Sequence, residues 1–173
     1  MASLTELTYE MIRFDEGEPE LIQHFLKVHA FAKLIGEAEG LPAETLKTLL
    51  ATALVHDIGI KICMQQLGKC NGKLQEQYGP PAAEAMLRRL GFDEALVQRA
   101  SYLVAHHHTY TDIDGADYRI LVEADFLVNL YENSCNGQTI AETYARMFQT
   151  ATGRRLCRQM FGLPPQEEQP LPQ

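Results

Sequence analysis

Apolar residues recur along this chain with the spacing of an α-helix, and no segment shows the strict alternation of a half-buried strand. The pattern therefore predicts an all-α fold, a single compact helical bundle. Positions that fall on the apolar stripes should fill its interior. The predicted core includes Phe25, Val28, Leu49, Leu50, Ala53, Leu54, Leu103, Val104, Leu121 and Val128.

Capping and breaking residues divide the pattern into helices. Pro19 and Gly40 bound the second helix, and Pro42 opens a third that ends at His56-Asp57. After a mixed stretch from 61 to 79, Pro80-Pro81 is expected to open another helix. Asp93 is a predicted N-cap. The predicted helices cover about residues 4–14, 19–39, 42–57, 80–90, 94–105, 117–132, 139–149 and 154–160.

The length of 173 residues is typical of one domain, predicted here over residues 1–162. Residues 163–173 are rich in Pro, Gln and Glu, which predicts a disordered tail. No apolar run is long enough for a membrane span, and the N-terminus lacks the layout of a secretory signal. We therefore expect a soluble, cytoplasmic protein with no membrane partner.

Charge and cysteine content narrow the function classes. The formal net charge of −8 argues against nucleic-acid binding, which needs clusters of Lys and Arg. It leaves room for a small anionic substrate, because a bound metal reverses the local charge. The four cysteines form no Cys-x-x-Cys pair, so reduced thiols are favoured over a zinc ribbon or disulfides.

His56-Asp57 is the most informative feature, because it closes an apolar stripe where polar groups are costly unless they are satisfied. His56 lies seven residues after Leu49 and Asp57 seven after Leu50, which places both near the buried face. His29 and Asp125 are predicted to face inward by the same argument. Imidazole and carboxylate donors suit Mn, Co, Ni, Zn or Fe, with Mg a poorer match.

Each of these residues, taken alone, is also compatible with a purely structural role. A single buried histidine such as His29 is more often a hydrogen-bonded core residue, and Asp125 alone fits a buried acid equally well. Two imidazoles and two carboxylates are harder to satisfy together without a metal, which favours a shared site. His24 is five residues from His29, about 140° around the helix, and is expected to lie outside this site.

The order His29, His56-Asp57, Asp125 resembles the H…HD…D signature of the HD-domain metal-dependent phosphohydrolases. The segments that flank these residues resemble the signature too, namely Leu54-Val55-His56-Asp57-Ile58-Gly59 and Glu123-Ala124-Asp125-Phe126-Leu127. The similarity spans about residues 20–135. It implies a helical bundle of the HD-domain type, with His29, His56, Asp57 and Asp125 as metal ligands.

Three consecutive histidines follow the fifth predicted helix, at residues 106–108. Periodicity places His107 and His108 on the buried side and His106 toward solvent. Some HD-domain proteins use further histidines to hold a second metal, together with a His before a Gly. Here Tyr78-Gly79 occupies the comparable position, which favours one divalent ion, with His107 or His108 contacting substrate. An exposed polar helix end is the alternative.

The resemblance implies hydrolysis of a phosphate ester or anhydride of a small anionic substrate, such as a nucleotide. Asp57 is expected to orient or deprotonate the attacking water, and His107 or His108 to stabilise charge or protonate the leaving group. Lys61 has a predicted phosphate contact, against the plainer reading of a solvated charge. The alternatives are a catalytically silent regulatory or scaffold module and, less favoured, a di-iron oxygenase. A homodimer is compatible with the sequence.

Overall fold

Nine α-helices follow one another along residues 2–164, the part of the chain that this computed structural model describes, and none of those residues forms a strand. The prediction of an all-α fold is confirmed. No helix in this part of the chain combines the length and apolarity needed to cross a membrane. The helices are α1 (Leu4–Phe14), α2 (Pro19–Ala38), α3 (Ala43–Ala53), α4 (Gly59–Leu67), α5 (Gly72–Arg89), α6 (Glu94–Val104), α7 (Gly115–Glu132), α8 (Gly137–Met147) and α9 (Ala151–Phe161).

Side-chain caps fix where several helices begin. The predicted N-cap at Asp93 is confirmed, because its Oδ1 accepts a hydrogen bond from the Leu96 amide at 2.9 Å. Asn71 caps α5 in the same way, so this helix begins eight residues before Pro80-Pro81. The prediction that the proline pair opens the helix was therefore wrong. Both prolines lie inside a helix whose start had already been set by Asn71.

His56 and Asp57 lie in a turn between two helices rather than at the end of one. The helix α3 ends at Ala53, and residues 54–58 form turns. Hydrogen bonds between residues three apart close these turns, such as the bond from Ile58 N to Val55 O at 3.1 Å. The prediction that His56-Asp57 closes the third helix therefore needs correction. The tighter turns carry both side chains inward, where they are 0% and 7% exposed.

The core is built around α2, α3 and α7, which pack against one another in all three pairs. Each of the ten residues predicted for the core is buried, with none more than 6% exposed. The predicted tail falls mostly outside the described residues. Leu163, its first residue, packs against the buried cluster that includes α7.

Two glycines let α4, α5 and the end of α6 come together beside the His56-Asp57 turn. A Cβ on Gly59 would lie 2.9 Å from the Gly79 amide nitrogen and 3.0 Å from the Gln75 carbonyl oxygen. A Cβ on Gly79 would lie 2.7 Å from a methyl carbon of Val104. These approaches are too close for a side chain, so both positions require glycine.

We expect Gly59→Ala to lower the free energy of unfolding by about 1–3 kcal/mol, because the new methyl group would meet backbone atoms that cannot move independently. Chemical denaturation of both proteins measures the change. Gly137→Ala is the matched control, since it lies in the first turn of α8 with open space around the added Cβ. Equal stability of Gly59→Ala and wild type would contradict the close helix packing.

Candidate metal centre

Four donor side chains converge where α2, α7 and the turn after α3 meet. They are His24, His56, Asp57 and Asp125, and each is at most 7% exposed. The Nε2 atom of His24 lies 3.2 Å from Nε2 of His56, 3.3 Å from an Asp57 oxygen and 3.1 Å from an Asp125 oxygen. The Nε2 atom of His56 lies 3.6 and 3.5 Å from the same two carboxylates. The four side chains therefore surround one point.

The structure does not bring His29 to this group, contrary to the sequence prediction. The Nδ1 atom of His29 instead lies 3.1 Å from the carbonyl oxygen of Leu50. His24, which was expected to point away, occupies the place assigned to His29. His29 thus takes the plainer role considered for it, a hydrogen-bonded histidine at the α2–α3 contact.

Helix geometry explains why the two histidines were interchanged. The buried stripe of α2 is formed by Phe25, Val28, Ala32 and Ile35. At 100° per residue, His24 lies about 60° to one side of the stripe's centre and His29 about 80° to the other. The period therefore places both at the margins of the buried face. Only the packing of α7 beside one margin and α3 beside the other distinguishes them.

The spacing of the four donor atoms suits a divalent metal ion. Nitrogen and oxygen ligands lie about 2.0–2.2 Å from such ions, which puts neighbouring ligands about 3.0–3.4 Å apart. The five separations that involve an imidazole nitrogen are 3.1–3.6 Å, close to this range, and all four donor atoms lie within 4.8 Å of one another. Two neutral imidazoles and two carboxylates also balance a double positive charge. These residues could therefore hold a metal together.

Hydrogen bonds outside the group orient its ligands. His56 donates Nδ1–H to the carbonyl oxygen three residues earlier, at 2.9 Å, which leaves Nε2 facing the other donors. His24 donates Nδ1–H to the Glu132 carboxylate at 2.8 Å. The Asn129 amide donates to Asp125 at 2.8 Å. Sequence reasoning missed Glu132 and Asn129, although they lie seven and four residues after Asp125 on the same face of α7.

The buried charges shift one another's ionisation in the metal-free protein. Burial disfavours charge, but the bond to Asp125 and the fields of both aspartates raise the pKa of His24 to about 9. Burial likewise opposes ionisation of Asp57, yet attraction to His56 and a hydrogen bond from His107 lower its pKa to about 2. Burial also opposes ionisation of Asp125, but bonds from His24 and His56 hold its pKa well below its usual range. A metal ion must displace the proton on His24.

A second group of donors lies on the other side of Asp57. The Nε2 atom of His107 is 3.0 Å from Asp57 Oδ1, and that of His108 is 3.9 Å from the same oxygen. His108 also contacts the Gln75 side-chain oxygen at 2.6 Å. His107 is buried, whereas His106 stacks on Tyr102 with ring centroids 4.2 Å apart. Asp57 thus faces both groups, and the second group of Asp57, His107 and His108 could hold an ion of its own.

A cavity of about 600 Å³ opens onto this centre. His24 and Asp57 form part of its wall, and Lys61 lines it as well. The Lys61 ammonium donates to the carbonyl oxygen of Phe14 at 2.7 Å and to that of Glu16 at 3.4 Å. Lys61 is therefore anchored at the cavity by the end of α1 rather than free in solvent.

An all-helical fold built around the order H…HD…D defines a recognisable class of protein. The sequence matches the family described as "HD domain" over residues 21–141, and the chain belongs to that family. The fold is similar to the crystal structure of a predicted HD superfamily hydrolase from an uncultured Thermotogales bacterium, with a TM-score of 0.62 and 24% identity. That match covers 92% of this chain and 83% of the other. No curated protein matches the chain.

The two histidines of α2 provide a direct test of the site. We expect His24→Ala to lower divalent-metal affinity by at least tenfold, because it removes a donor atom that lies 3.1–3.3 Å from the others. His29→Ala should retain the affinity of the wild type. Isothermal titration with Zn²⁺ or Mn²⁺ compares the two variants. The reverse result would restore His29 as the ligand.

The raised pKa of His24 predicts how the stability of the metal-free protein depends on pH. A group whose folded pKa exceeds its unfolded value stabilises fully below about pH 6.5 and loses that effect as pH rises through about 9. The metal-free protein should thus lose up to about 3 kcal/mol of unfolding free energy between pH 7 and pH 10. Urea unfolding across this range measures it. His24→Asn should show a shallower decline, and identical slopes would contradict the shift.

Proposed function

We propose that the protein is a metal-dependent phosphohydrolase that cleaves a phosphate ester or anhydride of a small anionic substrate, with a nucleotide as the preferred candidate. The observation that carries the proposal is the convergence of His24, His56, Asp57 and Asp125 beside an open cavity, to whose wall His24 and Asp57 contribute. The cavity's volume of about 600 Å³ lies in the range of small-molecule sites. Membership of the HD-domain family supports the same reaction class.

The proposed cofactor is one divalent ion, Mn, Co, Ni, Zn, Fe or Mg, held by His24, His56, Asp57 and Asp125. Such an ion lowers the pKa of bound water and offsets the charge of a phosphoryl group. One ion is favoured because His108, in the second donor group, has a 2.6 Å contact with Gln75. A ligand engaged in this way must exchange its partner before it can bind a metal.

Asp57 has a central place in the proposed reaction. One of its oxygens faces His24 and His56, and the other lies 3.0 Å from His107. Asp57 can therefore accept a proton from an attacking water, while His107, which donates Nε2–H to Asp57, can give that proton to the leaving group. Burial lowers the pKa of His107, but the bond to Asp57 more than offsets this and raises it, so His107 suits the role of proton donor.

His108 and Lys61 are proposed to contact the substrate. Burial and the nearby charge of His107 lower the pKa of His108, so its neutral ring has one N–H, which would exchange the Gln75 side-chain oxygen for a phosphoryl oxygen when substrate binds. The Lys61 ammonium uses two backbone carbonyls and has a third proton for an anionic group at the cavity. No nucleic-acid or membrane partner is proposed. A cytoplasmic location and assembly into a homodimer remain expectations.

We expect the purified protein to carry about one divalent ion per chain and to release phosphate or a nucleotide from at least one member of a panel of nucleotides, dinucleotides and sugar phosphates. Asp57→Asn should lower kcat/KM at saturating metal by at least a hundredfold, because a carboxamide cannot accept the proton. Asp112→Asn is the matched control, since Asp112 lies exposed in a loop with a φ of 54° that asparagine tolerates.

The same measurements separate the competing functions. Metal binding without turnover on any substrate would favour a regulatory or scaffold module. Two iron ions per chain, together with oxygen consumption, would favour the oxygenase. Wild-type turnover in Asp57→Asn would overturn the proposed role of that carboxylate. Phosphate release by a metal-free preparation would overturn the metal-dependent mechanism.

A further inference from the structure

We infer that Glu132 is a positioning residue that fixes the ring of His24 for metal binding, an inference that rests on the proposed metal site. The Glu132 carboxylate accepts Nδ1–H of His24 at 2.8 Å, while Nε2 of the same ring lies 3.1 Å from Asp125. Asp125 and Glu132 are seven residues apart on α7, so they lie two turns apart on one face. Both edges of the imidazole are therefore held by a single helix face.

His24 differs in this respect from His56, the other histidine of the centre, and from His107 in the second donor group. His56 and His107 each donate Nδ1–H to a backbone carbonyl within their own turn, at 2.9 and 2.8 Å. Those bonds form whenever the local backbone folds. The ring of His24 depends instead on a side chain that is 108 positions away in sequence. Its orientation is consequently tied to the packing of α2 against α7.

The Glu132 carboxylate is itself held in place. Its second oxygen lies 2.6 Å from the ammonium of Lys27, which belongs to the same helix as His24. The pair closes a small network in which α2 supplies a cation and a ring and α7 supplies the acceptor. An ionised acceptor makes the opposite ring nitrogen a stronger donor to a metal than a neutral amide would. Glu132 can thus act on metal affinity without touching the ion.

Metal binding in the absence of substrate tests this inference. We expect Glu132→Leu to weaken Zn²⁺ affinity by about 10–100-fold in chelator competition. Glu132→Gln keeps an acceptor without the charge and should lose less than tenfold. Glu20→Leu is the matched control, because Glu20 is an exposed carboxylate that lines the same cavity. It should bind Zn²⁺ as wild type does.

A spectroscopic signature distinguishes positioning from a general charge effect. In Zn²⁺-loaded wild type, long-range ¹H–¹⁵N spectra should show His24 protonated at Nδ1 and metal-bound at Nε2. Glu132→Gln should keep that pattern, whereas Glu132→Leu should lose the protected Nδ1–H signal. Glu132 ends α7 and its side chain is 26% exposed, so we expect both variants to fold.

Several outcomes would overturn the inference. Wild-type affinity in Glu132→Leu, or equal losses in Glu132→Leu and Glu20→Leu, would show that the hydrogen bond does not matter. Equal losses in the Gln and Leu variants would show that only charge matters. A wild-type protein that binds no Zn²⁺ would overturn it together with the proposed site. Because no substrate is involved, wild-type protein that binds Zn²⁺ but hydrolyses nothing would refute only the proposed function.

Discussion

The burial of two imidazoles and two carboxylates around one point is the constraint on which this structure depends. Charged groups are costly to remove from water unless opposite charges or hydrogen bonds meet them at close range. Here the ring nitrogens of His24 and His56 lie within 3.6 Å of the Asp57 and Asp125 oxygens, so both carboxylates meet imidazoles at close range. That mutual requirement ties together α2, α7 and the turn after α3, which lie far apart in sequence.

The helix α7 supplies several residues of the site, because it runs through the core and ends at the cavity. Asp125 belongs to the donor group, Asn129 orients it, and Glu132 holds the ring of His24. These residues recur at intervals of four and three, which keeps them on one face. A single helix thus supplies a donor, its support and the support of a donor on another helix. A shift of α7 against α2 would therefore disturb both the Asp125 and the Glu132 contacts of His24.

Part of the candidate site could be predicted from the sequence alone. His56, Asp57 and Asp125 stand out because polar residues interrupt or extend apolar stripes, and the structure brings them together. The sequence indicated the position of His24 less clearly, because His24 precedes Val28 by one turn but lies at the margin of the buried face of α2. Its place is decided by which neighbour lies beside that margin of α2. His29, at the opposite margin, meets a backbone carbonyl of α3 instead.

The sequence by itself determined the all-α class, the buried faces of the helices and the cap at Asp93, because these follow from periodicity and from bonds between residues three or four apart. Only the tertiary structure decided that His24 joins the centre in place of His29. Only the tertiary structure revealed that Glu132, 108 residues after His24 in the sequence, forms a hydrogen bond with the His24 ring. Periodicity defines a face of a helix, whereas the neighbour packed along each margin depends on contacts between distant segments. The donor group is made of such contacts.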